Sequence, residues 1–209
     1  VLTAYGLMEF HDMSQVFDVD PKIVERTRRW LFGLQKGDGS WEPTEGGIAE
    51  GAINAYQKAT LRTTAYIAWA IAETGDRSSE TSRALDFIAR GVEAEKDPYT
   101  LALCANALQA GERSDDARNV LDRLLATKVE EEKKVHWESP GEGATYSRGT
   151  ALQVETTSLI AYALLKARYQ TTVAHQALEW LIGQKDSRGT WHSTQATVYA
   201  MRALLAGTG

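Results

Sequence analysis

The chain has 209 residues, a formal net charge of -5 at pH 7 and 43% hydrophobic residues, enough for one or at most two compact domains. No cluster of Lys and Arg forms a basic stripe, which argues against nucleic acid as a partner. Polar residues interrupt every apolar run, so we expect no membrane span. A single cysteine, Cys104, excludes an internal disulfide and a Cys-rich zinc site.

Helices are predicted from the first residues onward. VLTAYGLMEF has the pattern of a helix interior without a capping residue before it, so we expect a piece of a longer protein. Runs rich in Ala, Leu, Glu and Arg recur, and the chain has only 4 Pro. This composition predicts an all-α chain of about nine helices.

The predicted helices are of two alternating kinds. One kind is apolar nearly all the way round and should be covered on both faces, at residues 60–74, 98–110, 156–168 and 193–206. The other kind carries one apolar stripe, at residues 21–35, 79–90, 114–127 and 172–184. Stacked helical hairpins with this alternation form two concentric rings, which predicts an α/α toroid.

An internal repeat supports this architecture. WLFGLQKGDGSW (30–41) and WLIGQKDSRGTW (180–191) each combine a helix end, a glycine turn and a tryptophan. We expect Trp41 and Trp191 to fill the space between adjacent hairpins.

Two stretches depart from the helical pattern. Residues 129–149 predict a surface β-hairpin insertion, with VHWES and ATYSR as strands around Pro140-Gly141. Residues 36–58 form a long loop that is rich in glycine and polar residues. Long loops in compact domains are often functional.

The polar candidates favour structural roles. Asp18 and Asp20 resemble a metal-binding pair, but Asp20 precedes Pro21 at a helix start, which favours capping, and Asp115-Asp116 stand in a similar place. Cys104 lies in an apolar helix, which favours core packing over a nucleophile. The four histidines have no ligand spacing, so we expect no metal site: His11, His136, His175 and His192.

Several segments together resemble a known family over essentially the whole chain. They are LTAYGLMEF (2–10), WLFGLQKGDGSW (30–41), TLRTTAYIAWAI (60–71), VHWE (135–138), VETTSLIAYALL (154–165) and STQATVYAMRALL (193–205). In this order and spacing they resemble the thioester-containing domain of the alpha-2-macroglobulin and complement proteins. The resemblance implies an α/α toroid, here an incomplete ring truncated at its N-terminal side.

The resemblance also implies covalent capture of proteases. In that family, a thioester between Cys and Gln of a Cys-Gly-Glu-Gln segment acylates an amine or hydroxyl of the attacking protease. Cys104 is not that cysteine, since Ala107 and not Gln stands three residues after it. We therefore expect the thioester upstream of Val1, and no catalytic residue in this chain.

One loop bears on the acceptor group. Hydroxyl-preferring complement relatives carry a histidine in the loop near the thioester, and that position falls on Ala49, between Ile48 and Glu50. No histidine occurs between His11 and His136. The parent protein therefore resembles the amine-preferring, protease-trapping branch.

Two other functions compete with this interpretation. Terpenoid cyclases and prenyltransferase β subunits share the toroid and its Gln-to-Trp turns, but the chain lacks their Asp-rich motif and their zinc ligands. Some family members have lost the thioester, so a scaffold or interaction module is the stronger alternative.

Partners and location follow from the same interpretation. We expect target proteases, other domains of the parent protein and self-association through the open ring edge, with no cofactor and no metal. The chain has no Asn-x-Ser/Thr acceptor and no disulfide, which favours a periplasmic or secreted bacterial protein.

Overall fold

A computed structural model describes residues 1–43 and 60–208. Within them the chain forms nine helices and one two-stranded antiparallel sheet. The elements are α1 (Leu2–Ser14), α2 (Pro21–Gly33), α3 (Thr60–Glu73), α4 (Ser79–Gly91), α5 (Pro98–Ala110), α6 (Ser114–Leu125), β1 (Val129–Glu131), β2 (Lys134–His136), α7 (Gly149–Lys166), α8 (Thr171–Gly183) and α9 (Thr194–Ala206). The predicted all-α fold with a small hairpin is confirmed.

The helices form two layers. The odd-numbered helices pack in sequence, α1 on α3, α3 on α5, α5 on α7 and α7 on α9. The even-numbered helices pack on the outside of these neighbours. The result is an incomplete α/α toroid, with α1, α3, α5, α7 and α9 as the inner layer.

Burial follows this division. Every residue from 63 to 72 in α3 and from 99 to 108 in α5 is buried, whereas the outer helix α4 buries only Thr81, Ala84, Leu85 and Ile88. An inner helix has neighbours on several sides, so its apolar residues run all the way round.

The last inner helix departs from the prediction. Four small or aromatic residues of α9 are buried, but Met201 is 52% exposed and Leu205 is 69% exposed. The expectation that residues 193–206 are covered on both faces is therefore wrong. In the described part of the chain, no further helix packs beyond α9, so one of its faces remains open.

A cluster at the centre of the inner layer joins the two ends of the chain. The Arg202 guanidinium of α9 lies 5.5 Å from the ring centroid of Trp69 and 5.8 Å from that of Tyr162. The same guanidinium donates a hydrogen bond to the Asp12 carboxylate of α1. Arg202 thus contacts α1, α3 and α7 from α9.

Three tryptophans make the same pair of hydrogen bonds, which we call Trp clamps. In each clamp the indole N–H donates to a leucine carbonyl near the end of an outer helix, and the Trp backbone N–H donates to a threonine hydroxyl of the following inner helix. The clamps are Trp41 with Leu31 and Thr64, Trp137 with Leu124 and Thr157, and Trp191 with Leu181 and Thr197. The internal repeat predicted a packing role for Trp41 and Trp191 but not these hydrogen bonds.

The hairpin lies inside the predicted insertion, but its strands differ from the prediction. Val129 pairs with His136, and Glu132 and Lys133 form the turn with φ of 48° and 70°. Pro140-Gly141 is therefore not the hairpin turn, and ATYSR is not a strand. Helix α7 begins at Gly149, seven residues before the predicted 156.

The helices were also compared with the length and hydropathy that a bilayer requires. Among the described residues, none is both long and apolar enough to cross a membrane.

Candidate functional site

The inner helices α3, α5 and α7 begin at one end of the ring, because each outer helix returns the chain to that end. We call this end the loop face. Residues 138–148 lie at this end, since they contact the first turn of α3 and the cap and first turn of α5 and lead directly into α7. Loops at one end of a rigid scaffold are common positions for binding residues.

The predicted loop residues follow Trp41 in the chain and precede α3. Ile48, Ala49 and Glu50 lie outside the described residues. The chain on either side of them is held at the loop face, since the Trp41 backbone N–H donates to the Thr64 hydroxyl at 3.0 Å. The role of Ala49 near a thioester stays a prediction.

Residues 138–148, here called the strap, cross the loop face. Their backbone is irregular, with one tight turn in which the Gly143 N–H donates to the Ser147 carbonyl at 2.9 Å. The strap has one contact to each of three places: Ser139 donates to Asp97 at the α5 cap, the Ala144 N–H donates to the Tyr99 hydroxyl at 3.1 Å, and Arg62 of α3 donates to the Glu142 carbonyl.

A carboxyl group is buried beneath the strap. Glu155, in the second turn of α7, is 0% exposed. Neither of its carboxyl oxygens makes a hydrogen bond of normal geometry with the described residues. Burial raises the pKa of Glu155 to about 7, and the nearby Ser147 hydroxyl opposes this only in part.

Three buried tyrosines surround this region from other inner helices. Burial raises the pKa of Tyr66 on α3, of Tyr99 on α5 and of Tyr199 on α9, and the charge of Glu155 adds to each shift. These hydroxyls are therefore neutral at physiological pH. They supply dipoles to the Glu155 pocket but no compensating positive charge.

The thiol of Cys104 is not available for chemistry. Cys104 is fully buried in α5, and burial raises the pKa of its thiol. A thiol without access to solvent or to a base stays protonated and unreactive. Its assignment to the core is confirmed.

The aspartates at two helix starts have different roles. The Asp20 carboxylate accepts from the Lys22 N–H at 2.9 Å and caps α2. Asp115 and Asp116 lie in the first turn of α6, and Asp116 pairs with Arg113 at 2.7 Å. The capping assignment is confirmed for Asp20, whereas the N-cap of α6 is Arg113 and no side chain makes a capping hydrogen bond there.

The histidines lie apart from one another. His136 of β2 stacks on Trp180 of α8, with ring centroids 4.9 Å apart, and His175 contacts the Thr171 carbonyl of its own helix. In residues 1–43 and 60–208, no group of three or more His, Cys, Asp and Glu side chains is placed to hold a metal ion.

A cavity of about 230 Å³ lies at the opposite end of the ring, where α3, α5 and α7 end. Its wall includes Glu73, whose carboxylate accepts from the Trp69 indole at 3.1 Å and from the Tyr162 hydroxyl at 2.9 Å. The walls are polar, but the hydrogen-bonding capacity of Glu73 is largely used within the protein.

The sequence analysis did not single out Glu155. The predicted helix 156–168 began one residue after it, so its place within a buried helix was hidden. The available signal was one acidic residue within the otherwise uncharged stretch LQVETTSLIAY. A carboxyl in such a helix is rarely left without a partner.

The comparisons with known proteins agree with this architecture. Residues 1–206 match the family described as the A-macroglobulin TED domain. The chain belongs to the alpha-macroglobulin and complement family. The predicted family resemblance is thereby confirmed, and the terpenoid cyclase alternative has no support.

Two relatives contain a similar domain within much longer chains. Ovostatin of Gallus gallus is 29% identical over 217 residues, which cover 98% of this chain and 15% of ovostatin. A.superbus venom factor 2 of Austrelaps superbus is 31% identical over 217 residues, which cover 97% of this chain and 12% of that protein. The chain spans less than a sixth of either relative.

Proposed function

We propose that this domain belongs to a protease-trapping alpha-macroglobulin and supports a thioester located upstream of Val1. The observation that carries the proposal is the match of residues 1–206 to the A-macroglobulin TED domain. The contribution of this chain is the rigid double ring and the loop face. In this proposal the attacking protease is captured covalently through its amines.

The proposed reaction needs no catalytic group from this chain. A lysine amine of the protease attacks the thioester carbonyl, an amide bond forms, the carbon–sulfur bond breaks and the thiolate leaves with the proton. A thiolate is a good leaving group, so the acyl group must be shielded from water until a protease arrives. The preference for amines rests on the absence of histidine between His11 and His136.

Methylamine tests the proposal in the full-length protein that contains residues 1–209. We expect a mass gain of one methylamine together with one newly reactive thiol. Cys104 does not interfere with the thiol measurement, because it is buried and its thiol pKa is raised. No mass gain in protein never exposed to amine or protease would reject covalent trapping.

The acceptor preference has its own test. In the full-length protein, Ala49→His should increase transfer of the acyl group to glycerol relative to methylamine, and Ala49→Gln is the matched polar control. The same ratio of glycerol transfer to methylamine transfer in the wild type and in both variants would contradict the role of this loop.

A scaffold without a thioester is the second candidate. Cys104 is buried in the core, so a thioester would have to come from outside this chain, and a protein without one would act through non-covalent contacts. An upstream sequence without Cys-Gly-Glu-Gln or a close variant would favour it. For either function we propose a secreted or periplasmic protein, and a bacterial source.

A further inference from the structure

We propose that Glu155 and the strap form a proton-dependent latch, in which the protonated carboxyl keeps the strap closed over the starts of α3, α5 and α7 and the ionised carboxylate releases it. This inference concerns the domain alone and does not rest on the proposed thioester. It follows from the packing above Glu155, from the charges around it and from the weak attachment of the strap.

The strap covers Glu155 closely. A Cβ atom built on Gly143 would lie 3.2 Å from one carboxyl oxygen of Glu155 and 3.3 Å from the Leu152 side chain. The backbone at Gly143 therefore lies directly above the carboxyl, with no room for a side chain. Solvent reaches Glu155 from this side only when the strap moves.

The groups that face Glu155 cannot neutralise its negative charge. Tyr66, Tyr99 and Tyr199 approach from α3, α5 and α9, and each carries a neutral hydroxyl because its pKa is raised. From the strap, Ser147 also offers only a hydroxyl. An ionised carboxylate in this position loses its hydration without gaining an ion pair.

Two arginines contact Glu142 of the strap. Arg62 of α3 donates to the Glu142 carbonyl, and Arg148 of the strap pairs with the Glu142 carboxylate at 2.9 Å. His136 of β2 stacks on Trp180 and lies 3.8 Å from the Glu138 carboxylate. Neither arginine is hydrogen-bonded or ion-paired to Glu155.

The strap opens before the helices do. Side-chain contacts to Asp97, Tyr99 and Arg62 hold it to the inner helices, whereas α7 is buried over most of its length. Segments with few regular backbone hydrogen bonds open at lower free energy than packed helices. Opening the strap hydrates Glu155 while the ring stays folded.

Proton linkage gives the size of the effect. The pKa of Glu155 is about 7 with the strap closed and close to its ordinary value of 4.5 when hydrated. The equilibrium constant for opening then rises about five- to sevenfold per pH unit between roughly pH 5 and 7, and by less than about twofold from pH 7 to 8. Between pH 5 and 8 the total rise is roughly 50- to 100-fold.

Amide hydrogen exchange of the 209-residue chain tests the latch. Protection factors of the Gly143, Ala144 and Tyr146 amides are measured from pH 5 to 8, each corrected for the intrinsic exchange rate of the unfolded amide at that pH. We expect strap protection to fall about 50- to 100-fold in the wild type. In Glu155→Gln, which keeps the shape without the charge, we expect protection independent of pH.

The matched control is Glu142→Gln. It removes the ion pair with Arg148 and should lower strap protection at every pH, while the pH dependence remains. A flat profile in the wild type would overturn the latch, whether or not Glu155→Gln folds. The same fall in Glu155→Gln as in the wild type would also overturn it, because the titrating group would then be another one.

Discussion

The indole nitrogen of Trp137 lies 2.6 Å from the carbonyl oxygen of Leu124, although thirteen residues and a β-hairpin separate them along the chain. The equivalent pairs, Trp41 with Leu31 and Trp191 with Leu181, are ten residues apart. The hairpin accommodates the longer connection between α6 and α7, so the Trp clamp has the same geometry there.

Replacing Trp137, which forms the second of the three Trp clamps, should destabilise the ring. Trp137→Phe removes the bond to Leu124, leaves a buried carbonyl unpaired and creates a small cavity. We expect the free energy of unfolding, measured by urea denaturation, to fall by about 2–4 kcal/mol. Trp30→Phe is the control, since Trp30 is 54% exposed, and it should change stability by less than about 0.5 kcal/mol. Equal losses in the two variants would contradict a clamp.

Arg202 should contribute to stability although it is charged. Its side chain is 13% exposed, with Asp12 as its ion-pair partner and two aromatic rings beside it. Arg202→Gln should lower the free energy of unfolding by about 1–3 kcal/mol. Arg29→Gln removes an ion pair whose Arg29 side chain is 72% exposed and should have almost no effect. If Arg202→Gln does not change the free energy of unfolding, the cluster around Arg202 does not join α9 to α1.

Glu155 should make the domain less stable as pH rises. Its pKa is raised to about 7 from 4.5, so between these values the folded state binds more protons than the unfolded state, and stability falls with pH. The loss from pH 4.5 to 8 is at most about 3 kcal/mol, and smaller if strap opening relieves it.

Urea denaturation at several pH values checks this. Glu155→Gln should be more stable than the wild type at pH 8 but not at pH 5. The exposed Glu131→Gln should follow the wild-type profile. A wild-type stability that rises from pH 5 to 8 with the same slope in Glu155→Gln would contradict the buried carboxyl.

Cys104 should resist thiol reagents in the folded chain. It is fully buried, and burial raises its thiol pKa. Ellman's reagent at pH 8 should detect almost no thiol in the native protein and one thiol in urea. Rapid reaction in the native state would place Cys104 outside the core.

The isolated chain should self-associate through its open edge, with a second copy covering the exposed apolar residues. On α1, Leu2, Phe10 and Met13 are exposed, and on α9, Met201 and Leu205. We expect light scattering to show a concentration-dependent dimer. The double variant Met201→Glu/Leu205→Glu should remain monomeric, whereas Ile182→Glu, on α8, should not. A wild-type monomer at high concentration would reject this expectation.

Hydrophobic periodicity predicted the layers well because helix burial depends mainly on local pattern. Residues 60–74 and 98–110 were assigned to the inner layer, and the structure places α3 and α5 there. The pattern could not show that α9 has an open face. That depends on which helices are present beside it and not on its own residues.

The start of α7 and the strap were harder to predict, because tertiary contacts decide them. ATYSR has strand-forming residues, but the Ala144 N–H bonds to Tyr99 in another helix instead of to a strand. Glu155 was missed for the same reason. Its burial results from the strap above it, and the strap is held by residues 62, 97 and 99, far away in sequence.

The Trp clamps join an outer helix to the inner helix that follows it in three of the four such pairs, all but α4–α5. Both hydrogen bonds of a clamp lie within one pair, so adding or removing a pair leaves the remaining clamps intact. In such an arrangement, stability is close to a sum over units and their contacts. The number of hairpins then sets the circumference of the ring, and proteins of this architecture can change size by whole units without changing how each unit folds.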